Sequence, residues 1–136
     1  MLDVVMASKE RHEHFVRRVA ASREVWGLKG QDGWACSAST ANNSRDRSVM
    51  PFWSDRAYAR QCARASWASY MPTRIPLELF LERWLKGMAA DGCMVGTNWN
   101  AQLCGQVVEP LDLKQEIERH LESAGQDRAG ATPEAS

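Results

Sequence analysis

The side chains best suited to hold a ligand or a partner fall in two short motifs, FWSD at residues 52–55 and NWN at residues 98–100. Each motif follows an apolar run that is typical of a β-strand. Ligand sites of layered folds gather at strand ends, where side chains from neighbouring strands converge. We therefore interpret the two motifs as parts of one concavity with the binding residues Trp53, Ser54, Asp55, Asn98, Trp99 and Asn100.

The chemistry expected of this concavity is binding. Ser54 is the predicted N-cap of a helix, and a helix start offers free N–H groups to an anion or a partner carboxylate. Asp55 follows in the first turn, where its charge would oppose a phosphate. If the second strand continues through NWN, both amides lie on one face and Trp99 on the other. The alternative is structural: the asparagines close a turn, and the tryptophans pack in the core.

Three arginines, Arg56, Arg60 and Arg64, recur every fourth residue along the same predicted helix and so share one face. Such a row serves as a basic docking face that attracts an acidic partner, or else is an ordinary solvated helix face. Further arginines that could extend this face are Arg45, Arg47 and Arg74.

Sequence patterns of known catalytic chemistry are absent: the chain contains no G-x-S-x-G, P-loop, G-x-G-x-x-G or H-E-x-x-H. His12 and His14 lie in the first half of a predicted helix, where we expect them to be solvated. The cysteines form no C-x-x-C pair and are remote in sequence from the histidines. We therefore assign no catalytic residue and expect neither a metal nor a cofactor.

The charge balance argues against a polyanionic partner. Lys plus Arg and Asp plus Glu each total 17, whereas nucleic-acid-binding proteins show a basic excess or stripe. No segment approaches the roughly 18 apolar residues of a membrane helix, and the start MLDVVMASKE lacks the features of a signal peptide. We expect a cytoplasmic protein that binds neither nucleic acid nor membrane, with Met1 and Met6 equally plausible starts.

The periodicity of apolar residues predicts the elements that position these motifs. The clearest helix starts at Pro76 and carries a broad apolar stripe until Gly92 ends it. Ser8 is the predicted N-cap of the first helix. Pro51 indicates an edge position or a strand end for the strand that leads into FWSD. The polar stretch at residues 39–48 predicts a loop.

Together these elements predict an α+β fold, with one twisted sheet of about five strands packed by about four helices. The expected domain is a single unit at residues 8–123. Its last helix covers residues 110–123, and the polar tail at residues 124–136 lacks an apolar period, so we expect it to be disordered.

Four segments resemble a bacterial family called "domain of unknown function 2750": FVRRVAASREVWGLKGQDGWA, PFWSDRAYARQCA, IPLELFLERWLKGMAADGCMVGTNWN and VVEPLDLKQEIE. The likeness covers roughly residues 12–121, and its most specific pieces are FWSD and VGTNWN. The second half is also similar in layout to enhanced-serine-sensitivity proteins, some relatives of which are partner-binding or immunity modules. The first resemblance implies no particular activity, and the second implies an interaction role.

The resulting hypothesis is a small cytosolic interaction module, regulatory or toxin-neutralising, that acts by protein–protein contact. The alternative is a small-molecule-binding protein or an enzyme with a pocket at the FWSD and NWN end. The partner is an unidentified protein or small molecule, and the oligomeric state stays open.

Overall fold

The computed structural model describes residues 7–31, 33–38, 48–64, 67–101 and 105–131. The helices in these ranges are α1 (Ser8–Ser22), α2 (Arg56–Gln61), α3 (Leu77–Leu79), α4 (Leu85–Asp91) and α5 (Pro110–Ala131). The strands are β1 (Glu24–Gly30), β2 (Gly33–Trp34), β3 (Ser37–Ala38), β4 (Ser48–Phe52), β5 (Met71–Pro76), β6 (Met94–Thr97) and β7 (Gln106–Val108). This mixture of helices and mainly antiparallel strands confirms the predicted α+β class.

Helix α1 begins one residue earlier in its capping than predicted. Ala7, not Ser8, is the N-cap, and its backbone N–H donates to Glu10 Oε1 at 3.0 Å. The helix ends at Ser22, and its C-cap Arg23 adopts a left-handed conformation with φ of 63°. Its predicted apolar face is buried, including Phe15 and Val19.

The strands form two small sheets instead of the single sheet that the sequence predicted. One has the order β2-β1-β5, and the other has the order β3-β4-β6-β7, in which β4 and β6 run parallel. The two sheets meet where Trp26 and Trp53 exchange two backbone hydrogen bonds of 2.8 and 2.7 Å. The split arises because β1 changes partner along its length, from Trp53 to β2.

Strand β4 lies inside its sheet, so of the two positions that Pro51 indicated, an edge or a strand end, the structure shows the second: Pro51 is the penultimate residue of β4. The carbonyl of Phe52 points towards β6 and accepts a hydrogen bond from the backbone N–H of Asn98. The N–H and C=O groups of Trp53 point the opposite way, towards Trp26. Strand alternation then places the ring nitrogen of Pro51 on the side away from β6. Strand β3 pairs with β4 only at Ser48 and Val49, so it does not reach Pro51.

Apolar side chains form two clusters, and β1 contributes Val25 to one and Leu28 to the other, as expected for alternating strand faces. The first cluster joins the strands to α1, α3, α4 and α5. The second lies against α2 and the segment that follows it, and its buried members are Leu28, Ala35, Val49, Trp53, Ala59, Cys62, Trp67 and Trp99.

The helix predicted after Pro76 is present, and it contains a π-helical turn at Phe80–Trp84 that joins α3 to α4. In this turn, Trp84 packs edge-on against Phe52 and Trp34, with ring centroids 5.6 and 4.7 Å apart. Gly92 ends the helix in the left-handed conformation, as predicted, with φ of 74°.

Strand β5 is at the edge of its sheet, and no strand among the described residues pairs with its outer side. Trp26 of β1 is opposite Arg74, but its backbone groups bond to Trp53. Arg74 therefore directs its own N–H and C=O away from β1, and strand alternation makes Pro72 and Pro76 face the same way.

Helix α5 extends to Ala131, beyond the predicted end at residue 123. The residues at 132–136 lie outside the described ranges, as does the predicted loop at 39–48 except for Ser48, which begins β4. The domain limits of 8–123 stay a prediction. None of the described helices combines the length and apolar character needed to cross a membrane.

Candidate functional site

Asn98 is the centre of a buried hydrogen-bond network. Strand β6 ends at Thr97, and Asn98 turns into the left-handed region with φ of 48°, which asparagine tolerates better than most residues. Its Oδ1 accepts from Ser54 N at 2.8 Å, and its Nδ2 donates to Ser54 Oγ at 3.0 Å and to Arg11 O at 3.3 Å. Its backbone N–H donates to Phe52 O, and its carbonyl accepts from Arg11 Nε. The strand therefore does not continue through NWN, and of the two arrangements considered for the asparagines, the one with both amides on one strand face is not formed.

The two tryptophans of the motifs are core residues. Trp53 is 0 % exposed and Trp99 is 7 % exposed. Trp53 Nε1 donates to Trp99 O at 3.0 Å, and Trp99 Nε1 donates to Gln106 O at 3.1 Å. A Cβ added at Gly96 would lie 2.5 Å from the Trp99 indole, so glycine leaves the space that this ring fills. These contacts agree with the structural alternative for the indoles.

Asn100 lies at the margin of the network and is only partly buried. The Sγ of Cys62 lies within hydrogen-bond distance of the carbonyl oxygens of Trp99 and Asn100, at 3.3 and 3.1 Å, and its single proton is shared between these two acceptors. Burial raises the pKa of the Cys62 thiol to about 11, so the thiolate that would act as a nucleophile is scarce at neutral pH.

Ser54 and Asp55 connect this network to the surface. Asp55, not Ser54 as predicted, is the N-cap of α2, and its side chain makes no capping hydrogen bond. Asp55 Oδ2 accepts from Ser54 Oγ, and Asp55 Oδ1 accepts from Arg18 Nε, each at 3.0 Å. Both carboxylate oxygens of Asp55 thus accept hydrogen bonds from side chains of the protein itself.

His14 lies beside Asp55 and is only partly exposed, whereas it was predicted to be solvated. Its Nε2 is buried without a hydrogen-bond partner among the described residues, 3.8 Å from Asp55 Oδ2. Burial lowers the pKa of His14 more than the charge of Asp55 raises it, and the guanidinium groups of Arg17 and Arg18 lower it further. The ring of Tyr58 is 6.0 Å away, and burial together with Asp55 raises the pKa of that phenol.

His12 was also predicted to be solvated, and it is buried. Its Nδ1 lies 2.8 Å from Thr97 Oγ1, and its Nε2 lies 2.9 Å from Glu116 Oε1. A hydroxyl, an imidazole and a carboxylate in line resemble a nucleophilic triad. Thr97 is 0 % exposed, however, so a substrate has no path to its hydroxyl in this conformation. The arrangement joins α1, β6 and α5.

The arginines of the predicted basic face are exposed, but they do not form one helical row. Arg56 and Arg60 lie on α2, which ends at Gln61, so Arg64 lies beyond the helix. Arg18 of α1 lies beside the start of α2, because its Nε donates to Asp55, the N-cap of that helix. Sequence reasoning missed Arg18, although its position four residues after His14 on one helix was a usable signal.

The remaining arginines contribute differently. Arg74 lies on β5, where its Nε donates to Glu24 Oε2 at 3.2 Å. Arg45 and Arg47 lie outside the described residues. Within the described part of the chain, no three His, Cys, Asp or Glu residues come together in a way that could hold a metal ion.

The structure thus defines a small α+β domain in which FWSD and NWN interlock to join α1 and α2 to β6. A family model described as "Protein of unknown function (DUF2750)" matches residues 12–117, and the chain belongs to this family. The match confirms the first resemblance; the likeness to enhanced-serine-sensitivity proteins stays a prediction. No curated protein and no solved structure matches the chain.

Proposed function

We propose that the protein is a cytoplasmic interaction module that binds a partner protein through a docking face formed by Arg18, Arg56, Arg60 and Arg64. One observation carries the proposal. At the FWSD and NWN end, the side chains of Ser54, Asp55 and Asn98 are hydrogen-bonded within the protein. By contrast, Arg56, Arg60 and Arg64 are exposed, and Arg18 is half-exposed beside Asp55. The expected role is regulatory or toxin-neutralising, since either needs a binding surface and no reacting group.

The chemistry of the docking face favours an acidic partner. Guanidinium groups form planar, often bidentate pairs with carboxylates, and they are less strongly hydrated than ammonium groups. The whole chain has no net charge, so the attraction is local to this face and steers a partner to it.

The competing prediction is a small-molecule or enzymatic pocket at the same end. Such a pocket would need to expose Trp53 and Asn98, both of which are 0 % exposed. Opening it would break the hydrogen bonds that hold Ser54 in place. The packing therefore supports the docking face over the pocket.

Affinity capture tests the proposal. The full chain is immobilised and exposed to lysate of the source cells as wild type and as two charge-matched triple variants. The face variant carries Arg56→Gln, Arg60→Gln and Arg64→Gln. The control variant removes three exposed cations elsewhere and carries Arg83→Gln, Lys86→Gln and Arg119→Gln.

We expect one partner to bind wild type and the control variant in stoichiometric amounts, and to bind the face variant about tenfold less. Binding to wild type should weaken between about 50 and 300 mM salt, because salt screens exposed charges. Equal capture by the face variant, or no stoichiometric partner for wild type, would contradict the proposal.

A further inference from the structure

A chain of three hydrogen bonds runs from the buried network to the surface. Asn98 Nδ2 donates to Ser54 Oγ, and Ser54 Oγ donates to Asp55 Oδ2. The other oxygen of Asp55 accepts from Arg18 Nε. Along this chain, exposure rises from 0 % for Asn98 to 50 % for the side chain of Arg18.

The contact with Asp55 fixes one edge of the Arg18 guanidinium. A guanidinium carries five N–H donors in a rigid plane, and Arg18 Nε supplies one of them to Asp55. The two Nη groups remain on a half-exposed side chain whose orientation is set before any partner arrives. Such preorganisation reduces the ordering cost of binding.

We propose that Arg18 is the anchor of the docking face and takes a carboxylate from an Asp or Glu side chain of the partner, with Asp55, Ser54 and Asn98 as positioning residues. This inference rests on the proposed function and adds the contact that holds the partner in place. Arg56, Arg60 and Arg64 then supply attraction at longer range, while Arg18 makes the defined hydrogen bonds.

A carboxylate fits this place better than a phosphate. Asp55 stays next to the guanidinium and carries a negative charge of its own. It therefore opposes a phosphate, which carries nearly two negative charges at neutral pH, more strongly than it opposes a singly charged carboxylate.

The test uses the ¹⁵N-labelled full chain and a capped hexaglutamate peptide as the probe. Arginine Nε–Hε signals are followed by NMR as the peptide is added. Arg17 is the matched control, because it is the exposed neighbour of Arg18 on α1. We expect a saturable shift of the Arg18 signal and a much smaller shift of the Arg17 signal.

Variants then separate orientation from charge. Arg18→Lys keeps the charge but loses the planar fork, and we expect it to weaken peptide binding about tenfold. Arg17→Lys should change binding by less than about twofold. Ser54→Ala alters no charge but removes the hydroxyl between Asn98 and Asp55, so it should also weaken binding. Its urea midpoint shows that the variant remains folded under the conditions of the titration.

Two results would overturn the anchor. Equal effects of Arg18→Lys and Arg17→Lys would do so, and so would tighter binding of inorganic phosphate than of the peptide at the Arg18 signal. If the triple variant Arg56→Gln, Arg60→Gln, Arg64→Gln still weakens binding in that case, the docking face stands without its anchor. If neither the triple variant nor Arg18→Lys weakens binding, both the docking face and the anchor fail.

Discussion

Replacing Asn98 with alanine tests the network at its centre. The substitution removes the amide that accepts from Ser54 N at 2.8 Å and donates to Ser54 Oγ and Arg11 O. The side chain is fully buried, so water does not replace these partners without a rearrangement. Alanine must also adopt the positive φ of 48° that asparagine tolerates.

The expected loss of stability follows from two effects. Leaving a buried donor such as Ser54 N–H without a partner costs about 1–3 kcal/mol. Placing alanine in the left-handed region costs about 1–2 kcal/mol more. We therefore expect Asn98→Ala to lower the free energy of unfolding by about 2–5 kcal/mol. Urea denaturation followed by tryptophan fluorescence measures this change.

Two controls separate the effects. Asn98→Gly also loses the amide but accepts the positive φ, so it should be less destabilising than Asn98→Ala by about 1 kcal/mol. Gln115→Ala removes an exposed amide from α5 and should change stability by less than about 0.5 kcal/mol. If Asn98→Ala were as stable as Gln115→Ala, the network would not hold the fold as described.

Three further predictions concern other sites. Gly96→Ala should lower the free energy of unfolding by about 1–3 kcal/mol, because its Cβ would overlap the Trp99 indole. Burial holds the pKa of His14 below its ordinary value of 6.5, so the stability this residue contributes is present above pH 6.5 and is lost as the pH falls through the lower folded value. Wild type should therefore lose more stability than His14→Gln between about pH 7 and pH 5 in urea titrations. Cys62 should resist iodoacetamide at about pH 8, since its pKa is about 11, while the exposed Cys36 reacts, as measured by peptide mass spectrometry.

Each of these predictions has an outcome that contradicts it. A Gly96→Ala variant as stable as wild type would mean that the indole has room to move; Gly87→Ala, where a Cβ meets open space, is the matched control. If the free energies of unfolding of wild type and His14→Gln changed in parallel with pH, His14 would not contribute to the pH dependence of stability. Alkylation of Cys62 at a rate close to that of Cys36 would show that the thiol is accessible.

Local patterns predicted the elements whose causes are local. The helix after Pro76 follows from its apolar stripe, and Gly92 ends it because glycine adopts a positive φ without strain. The proximity of FWSD and NWN was anticipated because both motifs end strands, and the structure brings Ser54 and Asn98 into direct contact. The sequence also predicted an open concavity at this end. In the structure, Ser54 and Asn98 are instead hydrogen-bonded to each other and buried.

The histidines show why the rest was beyond sequence reasoning. The partners of His12 lie 85 and 104 residues away, so no local pattern distinguishes this buried residue from a solvated one on the same helix. Likewise, the left-handed turn at Asn98 depends on contacts with Arg11 and Ser54, which are distant in sequence. The division into two sheets depends on how one side of β1 is divided between Trp53 and β2, which is a property of the tertiary structure.

The direction of the backbone in β5 has a consequence for how copies of the protein behave when crowded. A strand from a second copy that adds to this edge donates to its carbonyls and accepts from its N–H groups, so complete pairing needs regularly spaced N–H donors along the edge. Of the three residues that face outwards, Pro72 and Pro76 have no N–H, and Arg74 carries a charged side chain. A second copy therefore finds a single backbone N–H donor among these three residues. Edge-to-edge addition of its strand would lack the other hydrogen bonds that complete pairing needs. We therefore expect the two prolines to disfavour edge-to-edge pairing of copies, through missing backbone donors and not through the side chains of the strand.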